Sequence, residues 1–261
     1  MNTEMEKVIN WLNINKLSQN LKKTHYIIFR KQREKIWLNK DIIINKVRIE
    51  LTEKTKFLGV IIDQYLSFFH HIQYIKGKVA RALGILYKCR KYFNSNTLLT
   101  LYNAFVYPYY NYCISVWGNT YTTYLDPLAK LQKRAIRIIA STDRLAHTAP
   151  LFKTYNVLSL HKIYVYSVQL FLFNYYNDNL PQIFSSFYKR NNEIHDHSTR
   201  QYNLFHVPCK RSFQASRSIR CSGVIIYNYF FGRLSMLSSF VEYKKELKKY
   251  LLMNEAPNTF H

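Results

Sequence analysis

FLGVIID, running from Phe57 to Asp63, is the apolar run on which the reading of this chain turns. Phe57, Leu58, Val60, Ile61 and Ile62 are apolar on both sides of the strand period, which predicts one strand buried on both faces. Gly59 interrupts it, and glycine inside a strand marks a bulge or the close approach of another backbone or a ligand. Upstream the sequence predicts a helix and short strands. Downstream the apolar period changes from two to 3.6, and nearly everything predicts helix. The expected fold class is therefore α+β, mostly α-helical, with a small antiparallel sheet followed by helices.

In the N-terminal part, Met5, Val8, Ile9 and Leu12 form a helical stripe beside Trp11, with Thr3 and Glu6 at capping-box spacing and an end near residues 15–18. Short strands follow over Tyr26 to Phe29 and in KIWL, DIII and KVRIE, with a turn at Asn39-Lys40-Asp41. From His71, residues Ile72, Ile75, Val79, Leu83 and Leu86 make an apolar stripe. Lys76, Lys78, Arg81, Lys88, Arg90 and Lys91 fall around it without one acid. A helix over residues 95–107 should kink or end at Pro108. The next, from Thr122 or Thr123, turns Leu125, Leu128, Leu131, Ala135, Ile136 and Ile139 inward and sets Lys130, Lys133, Arg134 and Arg137 on another face. Residues 151–176 predict one or two aromatic-rich helices. Residues 181–221 predict a polar loop with short strands near Asn203 to Val207. A final helix carries Phe240, Tyr243, Leu247, Tyr250 and Leu251 inward and Lys244, Lys245, Lys248 and Lys249 outward.

The charge narrows the function. The 261 residues hold 38 Lys and Arg against 15 Asp and Glu, a net of +23. That excess favours a polyanionic partner, nucleic acid before an anionic membrane. Like charges three or four residues apart repel by a few tenths of a kcal/mol, so an ordinary solvated face mixes signs. The basic faces of the two helices do not. Nothing predicts a signal peptide or a membrane span, and the chain reads as soluble and intracellular, in nucleus or cytoplasm. Four widely spaced Cys without a CxxC pair argue against a disulfide framework. His195, His197, Cys209 and Cys221 are metal-ligand types, but the two Cys stand twelve apart, so no metal site is expected.

The order WLNINKLSQNLKKTHYIIF (Trp11 to Phe29), TKFLGVIID, HIQYIKGKVARALGIL (His71 to Leu86) and LYNAFVYPYYNYCISVWG (Leu101 to Gly118) resembles the reverse transcriptase of jockey-like non-LTR retrotransposons. The resemblance covers nearly the whole chain, from the residues after the catalytic centre through the thumb to the C-terminal region. It implies a palm remnant over 1–66, a helical thumb over 67–145 and a helical C-terminal region over 146–261, with a polar segment near 181–222. Thr199-Arg200, Pro208 and Tyr227-Asn228 match the family's C-terminal pattern, with Tyr in place of its Trp.

By the same resemblance, Asn20, Lys23 and Thr24 match an Asn-x-x-Lys-Thr pattern whose lysine would help protonate departing pyrophosphate. The intact family enzyme holds Mg²⁺ on converging carboxylates, including a Tyr/Phe-x-Asp-Asp turn. No Asp-Asp pair occurs here, and the chain would begin just after that turn. No cofactor is therefore expected in this chain, and Lys23 would have nothing to protonate. The implied activity is RNA-directed DNA polymerisation by descent. This chain is expected only to bind RNA, DNA or their hybrid, through Gly59, next to the primer grip, and Lys76, Lys78, Arg81, Lys88, Lys130, Lys133, Arg134 and Arg137 in the thumb. Two other readings stay open: a non-enzymatic helical protein that binds RNA or a protein, and a relic without function.

Overall fold

The computed structural model describes residues 2–33, 41–44, 47–194, 201–208, 213–234 and 239–257. The fold is α+β and mostly helical, with eleven α-helices and three two-stranded ladders among those residues. It forms two compact units, Met1–His71 and Ile72–His261.

The first unit opens with helix α1 (Asn2–Ile14). Because α1 begins at Asn2, Thr3 lies inside it rather than at its cap. Three ladders follow. Strand β1 (His25–Tyr26) pairs in parallel with β4 (Glu50–Leu51), and β2 (Ile43–Ile44) is antiparallel to β3 (Val47–Arg48). Strand β5 (Lys54–Phe57) is antiparallel to β6 (Val60–Asp63), with Phe57 opposite Val60 and Lys54 opposite Asp63. The small sheet is thus three separate ladders, one of them parallel. KIWL and the Asn39-Lys40 part of the expected turn lie outside the described residues.

FLGVIID is not one buried strand. Leu58 and Gly59 both take positive φ, 44° and 86°, and fold the run into the β5–β6 hairpin. A two-residue turn with positive φ at both positions matches the right-handed twist of its flanking strands. Phe57 and Leu58 are consequently exposed, while Val60 is buried. After the hairpin, the buried Asp63 carboxylate accepts from the backbone N–H groups of Tyr65, Ser67 and Phe68 at 3.0, 3.1 and 2.8 Å, and from the Ser67 hydroxyl at 3.1 Å. These bonds hold a turn in which Leu66 and Phe68 have positive φ, and the chain leaves it as helix α2 (Phe69–Cys89).

In the second unit, Ile72, Ile75, Val79, Leu83 and Leu86 of α2 are buried as the period predicts. Helix α3 (Ser95–Phe105) is capped by Asn94, whose side chain accepts from the Thr97 N–H at 2.9 Å. Pro108 sits at the start of α4 (Tyr107–Asn111), where its missing N–H costs nothing. Helix α5 (Ile114–Trp117) ends at Gly118, where a Cβ would meet the Ile114 carbonyl oxygen at 2.6 Å and the Tyr164 ring at 2.8 Å. Helices α6 (Thr122–Ile139), α7 (Thr148–Thr154) and α8 (Leu160–Tyr176) follow. Then come short α9 (Phe213–Arg217), a π-helical turn over Ile219–Gly223, α10 (Val224–Leu234) and α11 (Phe240–Met253).

Helix α8 is the centre of this unit, with α4, α5, α6, α10 and α11 packed on it. Two of its polar side chains bond to neighbouring elements inside the core. Tyr164 and Ser222 share a hydrogen bond of 2.9 Å, and Gln169 donates to the Ile226 carbonyl at 3.2 Å. The strands expected near Asn203 to Val207 reduce to one bridge between Arg190 and Phe205. Asn228 supplies the missing neighbour: its amide accepts from the Phe205 N–H at 3.1 Å and donates to the Phe205 carbonyl at 2.8 Å. Helix α10 was not legible, because VIIYNYFFGRL is apolar almost all round and has no helical period.

Candidate nucleic-acid interface

Positions on α2 follow from about 100° of turn per residue. Lys78, Arg81 and Lys88 fall on one side of the buried stripe, and Lys76 on its opposite flank. Lys78 and Arg81 border a cleft of about 300 Å³ between α2 and α3, walled by Ile85, Leu101 and Phe105. Arg81 and Lys88 are exposed, while Lys76 and Lys78 are half-buried. On α6, Lys130, Lys133 and Arg134 are exposed. Arg137 is not: it is half-buried, and its Nε donates to the Ala146 carbonyl at 2.8 Å. That bond fixes the loop after α6 and takes one guanidinium donor away from any ligand.

The ion pairs among the described residues are Lys7–Glu4, Arg48–Asp41 and Lys249–Glu246. None involves α2 or α6, so among the described residues their cations have no acidic side chain as an ion-pair partner. Exposed aromatic rings stand among those of α2. The Lys78 ammonium lies 5.5 Å from the Tyr74 ring centre, and the Arg90 guanidinium 4.4 Å from that of Tyr87. Tyr92 and Phe93 follow, exposed, just past the helix. These rings were not among the expected site residues. Their interleaving with Lys and Arg was the available signal, since flat faces beside cations suit stacked bases.

The remaining expected residues sit apart from these helices in sequence and have local roles. Gly59 belongs to the first unit and forms the exposed hairpin turn. Lys23 is exposed on the 3-10 turn Leu21–Lys23, which the Asn20 carbonyl closes by accepting from the Lys23 N–H and the Thr24 hydroxyl. Asn20, Lys23 and Thr24 are therefore a turn motif. Tyr227 is buried against Phe205, 4.8 Å between ring centres. Cys221 is a buried free thiol, whereas His195, His197, Thr199, Arg200 and Cys209 lie outside the described residues. Among the described residues no three His, Cys, Asp or Glu side chains converge. No helix among them is long and apolar enough to cross a membrane.

Over 106 residues, 39% of its length, the chain is 26% identical to the "Probable RNA-directed DNA polymerase from transposon X-element" of Drosophila melanogaster. The chain is related to a retrotransposon RNA-directed DNA polymerase. The matched stretch covers 12% of that longer polymerase. No protein-family model matches the chain, and no solved structure does.

Proposed function

We propose that this chain is the thumb-bearing C-terminal part of a jockey-like retrotransposon polymerase, and that it binds duplex nucleic acid through phosphates without adding nucleotides itself. Residues 1–66 would be the end of the palm, 67–145 the thumb and 146–261 the C-terminal region. The observation that carries the reading is the set of cations on α2 and α6 that have no acidic partner among the described residues, interleaved on α2 with exposed aromatic rings. Phosphates are the counter-charge that such a face lacks, and contacts to phosphate position a duplex without reading its sequence.

Binding through about six phosphates gives a slope of log K against log salt near −5. The test is fluorescence anisotropy of a primed RNA–DNA duplex over a salt series. Replacing Arg81, Lys88, Lys130 and Arg134 by Ala is expected to flatten the slope by roughly three units for every sequence tried. An unchanged slope in the folded variant would leave these faces as solvated surface. Primer extension with Mg²⁺ or Mn²⁺ is expected to yield no product, because the described residues bring no three carboxylates together to hold the metal ions.

A further inference from the structure

We infer that the second unit carries a separate pocket for a nucleoside monophosphate unit, formed by α3, α4, α8, α11 and the segment before α8. It is a cleft of about 690 Å³, within the size range of small-ligand sites. Its base is apolar, from Leu99, Val157 and Leu170, and its walls are polar.

The polar groups give the cleft the means to hold a ligand. Asn103, Asn111 and Asn156 line the cleft, and no side-chain amide of theirs makes a hydrogen bond among the described residues. The hydroxyls of Tyr107, Tyr155 and Tyr166 are equally without hydrogen-bond partners there, although Tyr166 is only 9% exposed. Tyr166 is the largely buried member of this set; the three amides are exposed and open to a ligand entering the cleft.

The sign of the cleft selects that partner's charge. Lys244 and Lys248, one turn apart on α11, both face it, and none of the lining residues is acidic. Their neighbours Lys245 and Lys249 point elsewhere, and Lys249 has Glu246 as its partner at 4.0 Å. Burial, and then the nearness of Lys244, push the Lys248 ammonium below its ordinary pKa. An anion in the cleft would relieve both. Two ammonium groups suit a phosphate. Three amides, each donor and acceptor, suit the edge of a base or the hydroxyls of a ribose. Tyrosine rings beside apolar side chains suit a flat ring. Inorganic phosphate alone would use only the lysines.

A free nucleotide and the phosphorylated end of a strand both have this chemistry, and the experiment separates them. The full chain is titrated calorimetrically with 5′-AMP, 5′-UMP, adenosine and inorganic phosphate. A tetranucleotide with and without its 5′-phosphate follows. Saturable binding of the nucleotides is expected, at least tenfold tighter than adenosine or phosphate. A phosphorylated tetranucleotide that binds as well as AMP assigns a strand end; one that does not bind assigns the free nucleotide. Lys244→Gln with Lys248→Gln should weaken AMP at least tenfold while leaving the duplex salt slope of the α2 and α6 faces in place. Should that variant misfold, Asn103→Asp, at an exposed helix position, puts a carboxylate in the cleft and should do the same. No saturable binding, equal affinity for AMP and adenosine, or an AMP affinity unchanged in the folded variants would overturn the assignment.

Discussion

His71 shows how one side chain ties local chemistry to stability. It is buried, and its Nδ1 accepts from the Ile61 N–H of the hairpin at 3.3 Å. That bond needs the neutral ring, and burial lowers the pKa from 6.5 to about 4. Between those values the unfolded imidazole takes up a proton that the folded one refuses. Stability is therefore fully present above about pH 6.5 and falls as the pH drops toward 4. His161, lowered in the same direction chiefly by burial, adds to the slope. In urea denaturation from pH 7 to pH 4.5, His71→Gln keeps an acceptor but cannot titrate, and is expected to flatten the fall; an unchanged profile would remove His71 from the account. Leu58 offers a second case. It occupies a left-handed position at the hairpin turn while 74% exposed, a conformation that costs an L-residue roughly 1–2 kcal/mol and that Asn adopts more readily. Leu58→Asn should raise stability by about 1 kcal/mol, read from the denaturation midpoint. The hairpin was hidden in the sequence for this reason: Leu-Gly is not a usual turn pair, so an apolar run with a glycine read as one strand.

Elements explain which sequence signals carried and which did not. The 3.6-residue period of α2, α3 and α6 is strong because each has a wet side and a dry side. Leu125, Leu128, Ala135, Ile136 and Ile139 are accordingly buried. The same reasoning could not place Gln132, which lies in the dry stripe and is 1% exposed. Its amide donates to the Tyr102 hydroxyl at 3.2 Å and the Leu158 carbonyl at 2.9 Å, and accepts from the Leu160 N–H at 2.8 Å. It thereby ties α3 and α6 to the start of α8. Gln132→Leu leaves those groups buried without a partner and should cost about 2–4 kcal/mol by chemical denaturation. On α11 the period showed which side was dry, but not that Lys244 and Lys248 would meet a cleft while Lys249 met Glu246; that depends on which helices stand beside it. Helix α2 has a different irregularity. Gly77 and Gly84 lie on its outer side with open space where a Cβ would stand. No packing requires them, and each costs a helix roughly 1 kcal/mol relative to Ala. Gly84→Ala should recover about that amount. A fall in duplex affinity beside that gain would identify the outer side of α2 as the surface that phosphates approach.

At the scale of the whole molecule, the two units differ in how much apolar surface they bury. In Met1–His71 the described buried apolar side chains are Ile44, Ile49, Val60 and Phe68, while Trp11, Leu17, Phe29 and Leu58 are all more than half exposed. The ladders there are two to four residues long, so few backbone hydrogen bonds lie in cooperative sheet. In Ile72–His261, by contrast, Trp117, Tyr102, Tyr110, Tyr164 and Phe230 are fully buried, and polar bonds cross between helices inside the core. Burying a large apolar side chain contributes roughly 1.5–3 kcal/mol before chain entropy is subtracted. The first unit therefore has few such terms to set against the ordering of its backbone, at about 1–2 kcal/mol per residue. Local opening should be much cheaper there. Hydrogen–deuterium exchange of the full chain is expected to show the amides of α1 and β1–β4 exchanging early. The amides of α6 and α8 should be held back by at least about two orders of magnitude, the equivalent of roughly 3 kcal/mol. The β5–β6 hairpin, anchored by Asp63 and His71, should fall between them. Uniform protection across both units would mean that the first is stabilised by something other than its own core. Earlier exchange throughout α6 would contradict the stability assigned to the Gln132 network.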